Sequence, residues 1–452
     1  IQEVALGPRH PSVAIVYNNL GYLHQETGDY EQARAELRHA LSIREEKLGP
    51  EHESTMMNLG NLAILDARLG LPATERWEEL IALADRVLGP DHPLTSGFRA
   101  NYAVDLSEVD PERSRRLTEA AYATFTRSLG PEHPRTLWTL SNLGEAALRA
   151  GDLETAERLL RQAIAGLEKE TGAPVGLLLN VRQILARCRA ERGAASEAKS
   201  LFAQVLASQE KLNGPEHPAV ATSLVEYGDF LRQERDLPGA RASFERALAI
   251  REKALGPDHP AVGDSLVALG DLETEIGEID TALGHFRRGI AIQEKARSPE
   301  DPRNAKGYRD YAACLLRKGE SDAALEAALK AEEITTRQLR ATLAGVPERQ
   351  ALGLVAKAPS ALGLAVSAAI ALRQADSSTR VLDALVRSRA LVLDEMSQRQ
   401  RSLRDDEGGE AAGLFAAWVA ARDRLARLTV LGEDEKSPQR YRARLEKARA
   451  EK

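Results

Sequence analysis

The stretch Leu6-Gly7-Pro8-Arg9-His10-Pro11 recurs as Leu48-Gly49-Pro50-Glu51-His52, Leu88-Gly89-Pro90-Asp91-His92-Pro93 and Leu129-Gly130-Pro131-Glu132-His133-Pro134. It returns as Gly214-Pro215-Glu216-His217-Pro218 and Leu255-Gly256-Pro257-Asp258-His259-Pro260, with weaker copies at Thr171-Gly172-Ala173-Pro174 and Ser298-Pro299-Glu300-Asp301-Pro302. Successive copies lie 42, 40, 41, 42, 42, 42 and 42 residues apart. A fixed period of this length marks a repeat array. The string itself is a helix stop followed by a helix start. Glycine ends one helix in a conformation other residues resist, and proline prevents its continuation. The second proline, as in His10-Pro11, has a fixed φ suited to the first turn of the next helix.

Between connectors lie two amphipathic stretches divided by a tighter stop, read at Gly28-Asp29, Gly151-Asp152, Gly277-Glu278 and Gly319-Glu320. A glycine followed by an acidic helix start predicts a helical hairpin per unit. Small residues recur where two helices must approach closely. In the first helix they are Gly21, Ala63, Ala103, Gly144, Ala186, Gly228, Gly270 and Ala312. In the second they are Ala33, Ala156, Ala198, Ala240, Ala282 and Ala324, then Ala40, Ala82, Ala163, Ala247 and Ala331. This pattern resembles the tetratricopeptide repeat over roughly residues 12–342, about eight units. The period of 42 and the Asn-Leu-Gly first helix resemble the kinesin-light-chain type of that repeat. The resemblance implies an all-α, right-handed α-solenoid with a concave groove that holds protein or peptide. The third unit is irregular, since Asp110-Pro111 replaces the expected glycine and Arg115 stands where alanine is expected. A shortened or kinked hairpin is expected there. Residues 1–11 read as the end of a truncated preceding repeat, because Ile1 to Leu6 aligns with Ile43 to Leu48.

Residues 343–452 leave the period and read as a non-repeat helical extension that caps the array. Glu348 to Gln374 predicts a helix pair broken at Pro359, and Ser378 to Arg404 a long amphipathic helix. Ala411 to Leu428 and Gln439 to Lys452 predict a last hairpin beyond Gly408-Gly409. Arg349-Gln350-Ala351 and the later Arg387-Ser388-Arg389-Ala390-Leu391-Val392-Leu393-Asp394-Glu395 resemble the segment that precedes a CHAT domain, a caspase-like cysteine-protease module of bacterial proteins. Such a protease uses a Cys–His dyad. No dyad is available after the array, because the last histidine is His285 and the last cysteine Cys314. The resemblance therefore implies a protease domain beyond Lys452.

Composition sets the outer bounds. The 452 residues carry a net charge of −7, which gives no basic footprint for nucleic acid. Two cysteines exclude a disulfide framework and favour a reducing compartment. The longest nearly uncharged apolar run, Ala358 to Leu372, is too short to span a bilayer comfortably. A cytoplasmic protein without a membrane partner is the expectation.

Few residues invite chemistry. Cys188 and Cys314 share one repeat position with Leu23, Leu65, Phe230 and Leu272, as a small buried hydrophobe would. The connector histidines each belong to a different unit, so tetrahedral closure around a metal is not expected. Their expected role is bonding to backbone at the helix start. Asn19, Asn61, Asn101 and Asn142 occupy one first-helix position in units one to four, followed there by Ile184, Glu226, Ala268 and Asp310. An amide donates and accepts at once, so such a column can bond an extended peptide whatever its sequence. The alternative is hydrogen bonding between units that only fixes the stack. No catalytic residue, metal site or cofactor is expected. The function expected is partner recognition, as the sensing part of a protease whose catalytic domain lies outside this chain. A free adaptor, or a subunit docking on an RNA-guided effector, are the alternatives.

Overall fold

In a computed structural model the described residues are 7–405 apart from 27, 70, 72, 108–109, 171, 173, 298–300 and 344–347. The expected start at 1–6 and last hairpin at 411–452 lie outside them. The connectors behave as their composition demands. Gly49, Gly130, Gly214 and Gly256 sit at φ 86°, 92°, 88° and 90° with ψ near 160°. That region is open essentially to glycine alone. At Gly49 a β-carbon would meet nothing within 4 Å, so backbone conformation and not crowding requires glycine there.

Each connector histidine then starts the next helix. Nδ1 of His52 accepts the amide of Ser54 at 3.1 Å, and His133, His217 and His259 do the same for Arg135, Ala219 and Ala261 at 3.1 Å. His10 and His92 cap at 3.1 and 3.3 Å. The ring supplies the side-chain acceptor that Ser, Asp or Asn supplies at other helix starts.

Nineteen helices follow among the described residues, with no strand. The first eight are α1 (Pro11–Glu26), α2 (Tyr30–Leu48), α3 (Glu53–Arg68), α4 (Thr74–Val87), α5 (Pro93–Leu106), α6 (Pro111–Leu129), α7 (Pro134–Arg149) and α8 (Leu153–Lys169). The next eight are α9 (Val175–Glu191), α10 (Ala195–Asn213), α11 (Pro218–Gln233), α12 (Leu237–Leu255), α13 (Pro260–Ile276), α14 (Ile279–Ala296), α15 (Pro302–Lys318) and α16 (Ser321–Leu343). The last three are α17 (Glu348–Lys357), α18 (Leu362–Leu372) and α19 (Ala375–Asp405). Helices α1 to α16 pair as hairpins in sequence order, forming an all-α tetratricopeptide-like solenoid.

Within a hairpin a large side chain of the second helix fills the space left by a small residue of the first. A β-carbon on Gly144 would lie 2.8 Å from Leu160 Cγ, and one on Gly228 would lie 2.7 Å from Phe244 Cε1. Between hairpins the first helices touch one another, α7 with α9, α9 with α11, α11 with α13 and α13 with α15. No comparable packing joins successive second helices among the described residues. The units are wedges, and their first helices line the inside of the curve.

Two expectations need correction. Ala82 is exposed, and Leu80 takes the buried position. The 40-residue spacing of that unit moves the register by two residues when it is counted from the following connector. In the third unit Ser114, not Arg115, fills the small position, because that unit is one residue shorter. Ser114 Oγ donates to the Ala103 carbonyl at 2.6 Å, while Arg115 points to solvent and pairs with Glu112 and Glu119. The shortening falls on α4 and α5, 14 residues each, whereas α6 runs 19 residues from an Asp110 cap.

The curl brings distant units together. A β-carbon on Gly28, between α1 and α2, would lie 2.5 Å from His259 Cδ2 and 3.0 Å from Pro260 Cδ, at the start of α13. The Arg303 guanidinium, at the start of α15, donates to the Arg68 carbonyl at the end of α3. At the far end α18 buries Ala361, Ala365, Ala368 and Ala369 in the last apolar cluster of the array. Glu332 on α16 accepts from Ala361 N and Ser360 Oγ at 2.9 Å, and Arg380 on α19 holds Glu326 with both terminal nitrogens at 2.6 and 2.8 Å.

Two substitutions check this packing. Gly144→Leu forces α7 from α8 and is expected to cost ~1–3 kcal/mol, as overpacking does; an unchanged thermal melt would contradict the register. His133→Ala removes a helix cap and is expected to cost about 1 kcal/mol, with His133→Asn restoring most of it. Equal melts for the Ala and Asn variants would show that the ring does something other than cap.

Candidate interaction groove

The inner face is built from three residues per first helix, on one side of the helix by their spacing. The central position holds Asn19, Asn61, Asn101 and Asn142, then Ile184, Glu226, Ala268 and Asp310. Asn19 is exposed and the other three asparagines are half-buried. Asn61 Nδ2 donates to Asn18 Oδ1 of the preceding unit at 2.9 Å. Asn142 Nδ2 is buried without a hydrogen-bond partner among the described residues. The column therefore includes one amide that stitches neighbouring units and one whose donor is unspent.

The positions four before and three after the asparagines carry a second signal. In the first three units they hold Ile15 and Tyr22, Met57 and Ile64, Gly97 and Val104. Ile15, Tyr22, Met57 and Val104 are 54, 63, 51 and 50% exposed, unusual for side chains of this type at the middle of a packed helix. From the fourth unit onward the same face turns ionic. The position three after the asparagines reads Glu145, Arg187, Asp229 and Asp271 in units four to seven.

The ionic residues form a row of short-range pairs. Arg187 meets Glu145 at 3.3 Å, and Ser223 Oγ donates to Gln183 Oε1 at 3.2 Å. Arg232 stands 3.5 Å from Asp229, and Lys306 Nζ lies between Asp271 and Asp310 at 2.7 and 2.8 Å. Burial pushes the carboxyls of Glu226 and Asp229 up, with Arg187 and Arg232 respectively among the cations that oppose the rise. Burial pushes Asp271 up to about 6, opposed chiefly by Lys306. Carboxylates here are held in a partly dry environment that disfavours their charge.

Neither cysteine belongs to this face. Cys188 and Cys314 are fully buried, and their Sγ–H groups point at the carbonyls of Leu153 and Ile279. Burial raises both thiols, which opposes nucleophilic use. The asparagine column was readable from the repeat. The apolar and acidic rows beside it are visible in the sequence only when every first-helix position is aligned on the connectors.

A half-buried carboxyl beside the groove supplies a pH test. Asp105, next to Val104, accepts the Trp77 indole N–H at 2.7 Å and is pushed up to about 6 by burial. Its folded value lies above the unfolded one, so its contribution is full below about pH 4 and is lost as pH rises through about 6. Asp105→Asn keeps an acceptor for Trp77. It is expected to raise stability by about 1–2 kcal/mol above pH 7 and by nothing near pH 4. Melts of both proteins across that range decide it, and a gain equal at both ends would refute the charge argument.

Known proteins were compared with this chain. Family models described as tetratricopeptide repeat match residues 1–46, 12–74, 101–169 and 220–295, and a second model of that description matches residues 190–219. A clustered mitochondria protein homolog of Aspergillus oryzae is 26% identical over 166 residues, 36% of this chain and 13% of that protein. The homolog of Coccidioides immitis is 26% identical over 140 residues, 30% of this chain and 11% of that protein. The match thus spans a small fraction of the curated relatives' length. Among solved structures, a Rap protein complexed with Competence and Sporulation Factor aligns with a TM-score of 0.51 at 13% identity, covering 86% of this chain and 99% of that one. The kinesin-light-chain TPR-like repeats of Podosopora anserina align with a TM-score of 0.26 at 24% identity, covering 54% and 97%. The alignment to the Rap protein is a likeness of fold.

Proposed function

This chain belongs to the tetratricopeptide-repeat proteins, and we propose from that premise that its row of first helices grips an extended segment of another protein. One observation carries the reading: the inner face spends side chains that the fold does not need. Ile15, Tyr22, Met57 and Val104 leave half or more of their surface in solvent, and Asn142 buries an amide nitrogen without a partner among the described residues. Exposing apolar surface and stranding a donor both cost free energy in the free protein. A bound segment would recover the first by covering the apolar side chains. Asn19, Asn61, Asn101 and Asn142 serve in this reading as contacts to the segment's backbone. The Rap protein that shares the fold was crystallised with Competence and Sporulation Factor, which fits a scaffold of this shape holding a partner.

A finer reading makes this scaffold the sensing part of a caspase-like CHAT protease. Its support is the sequence at 349–351 and 387–395 alone. It requires a Cys–His dyad in the parent polypeptide beyond Lys452, and a parent without one removes it.

Replacing Asn61 and Asn101 together with Ala is expected to weaken capture of a partner from the native host about tenfold or more, for two lost polar contacts. The melting temperature should move little by comparison. Equal loss of folding and capture would make the column a device of the stack, as the bond between Asn61 and Asn18 alone would suggest.

A further inference from the structure

The groove is not uniform along its length, and the gradient specifies its occupant. Units one to three present Ile15, Tyr22, Met57 and Val104 to solvent beside amides. Units six to eight present Glu226, Asp229, Asp264, Asp271 and Asp310 on the corresponding turns. The basic residues of that face are few and already engaged. Arg187 is held by Glu145, Lys306 by Asp271 and Asp310, and the buried Arg297 holds Asp264 with both carboxylate oxygens at 2.8 Å.

We propose that the groove takes an extended, two-part peptide whose apolar half lies along units one to three and whose Lys/Arg-rich half lies along units six to eight. This rests on the groove reading above and adds the chemistry and the direction of the ligand. Charge complementarity selects the cationic half. Glu226 and Asp229 are partly buried and have one bonded cation between them, Arg232 at 3.5 Å from Asp229. A cation delivered there meets a carboxylate that water screens less than at an open surface. The apolar half gains from covering side chains that are at least half exposed. An acidic peptide would face like charge along units six to eight, and a wholly basic one would leave the apolar units bare. Because the two chemistries occupy different units along one groove, the peptide has one permitted orientation.

The test uses the full chain and a displayed library of random peptides, each roughly twelve residues, about 40 Å when extended. Enriched sequences should place an apolar segment beside a Lys/Arg segment in one constant order. The best of them should lose about tenfold or more in affinity to the triple variant Glu226→Gln, Asp229→Asn, Asp271→Asn, or on exchange of its own Lys for Gln. The second change leaves the protein untouched, so misfolding of the variant cannot imitate the result. Affinity should also fall with added salt. Enrichment of acidic or uncharged peptides that still depend on Asn61 and Asn101 would overturn this inference and leave the groove reading standing. So would basic peptides indifferent to the triple variant but lost with the asparagine variant. No enrichment, or peptides indifferent to both variants, would overturn the groove reading and this inference with it.

Discussion

One backbone constraint governs this molecule. At six connectors a glycine turns the chain through a conformation that side-chained residues resist, and a histidine three residues later receives the next helix. Gly49 and Gly256 show the constraint in pure form, with φ near 90° and ψ near 160°. The turn inside a hairpin is more lenient. Gly277 and Gly319 there take the ordinary left-handed conformation, and Arg235 takes it at φ 64° in the sixth unit. The angle between units is thus set by a glycine-only joint, and the angle within a unit by packing of large against small residues. Repeating both produces the wedge and, with it, the inner face.

The fold was legible because its punctuation is repeated. Connectors, small residues and histidine caps announce themselves by recurring, and a single copy would have meant little. The errors came where the period slips. Counting from the preceding connector points to Arg115 and Ala82, whereas the deletions fall between that connector and the residue. The groove was half legible. Four asparagines at one position form a visible pattern, whereas Ile15, Tyr22, Met57 and Val104 resemble core residues in any single helix. Only the curvature, which places first helices inside, turns those side chains outward into the groove. The burial that raises Glu226, Asp229 and Asp271 likewise arises from neighbouring units and has no local signature.

The same residues explain why such a face is costly to keep. Partly buried carboxylates and uncovered apolar side chains both lower the stability of the free array. A scaffold selected for stability alone would replace them, and stability given up at a surface is a common mark of binding. The second helices show the contrast. Their buried side chains, such as Phe244 and Phe286, are fully covered. Their exposed charges pair with acidic residues of the connectors in ordinary surface bridges, such as Lys253 with Glu216 and Lys295 with Asp258. One side of the molecule is spent on holding the array together, and the other is left open.

The contact of Gly28 with His259 and of Arg303 with Arg68 changes how the array can come apart. An open solenoid unravels from its ends, because each unit is steadied only by its neighbours. Here the first and second units are also steadied by the seventh and eighth, six units away. Fraying of the first hairpin removes support from the start of α13, and loosening of α15 is felt at the end of α3. The array therefore behaves less like a string of independent beads and more like a hoop, in which melting at one point is shared around the circumference.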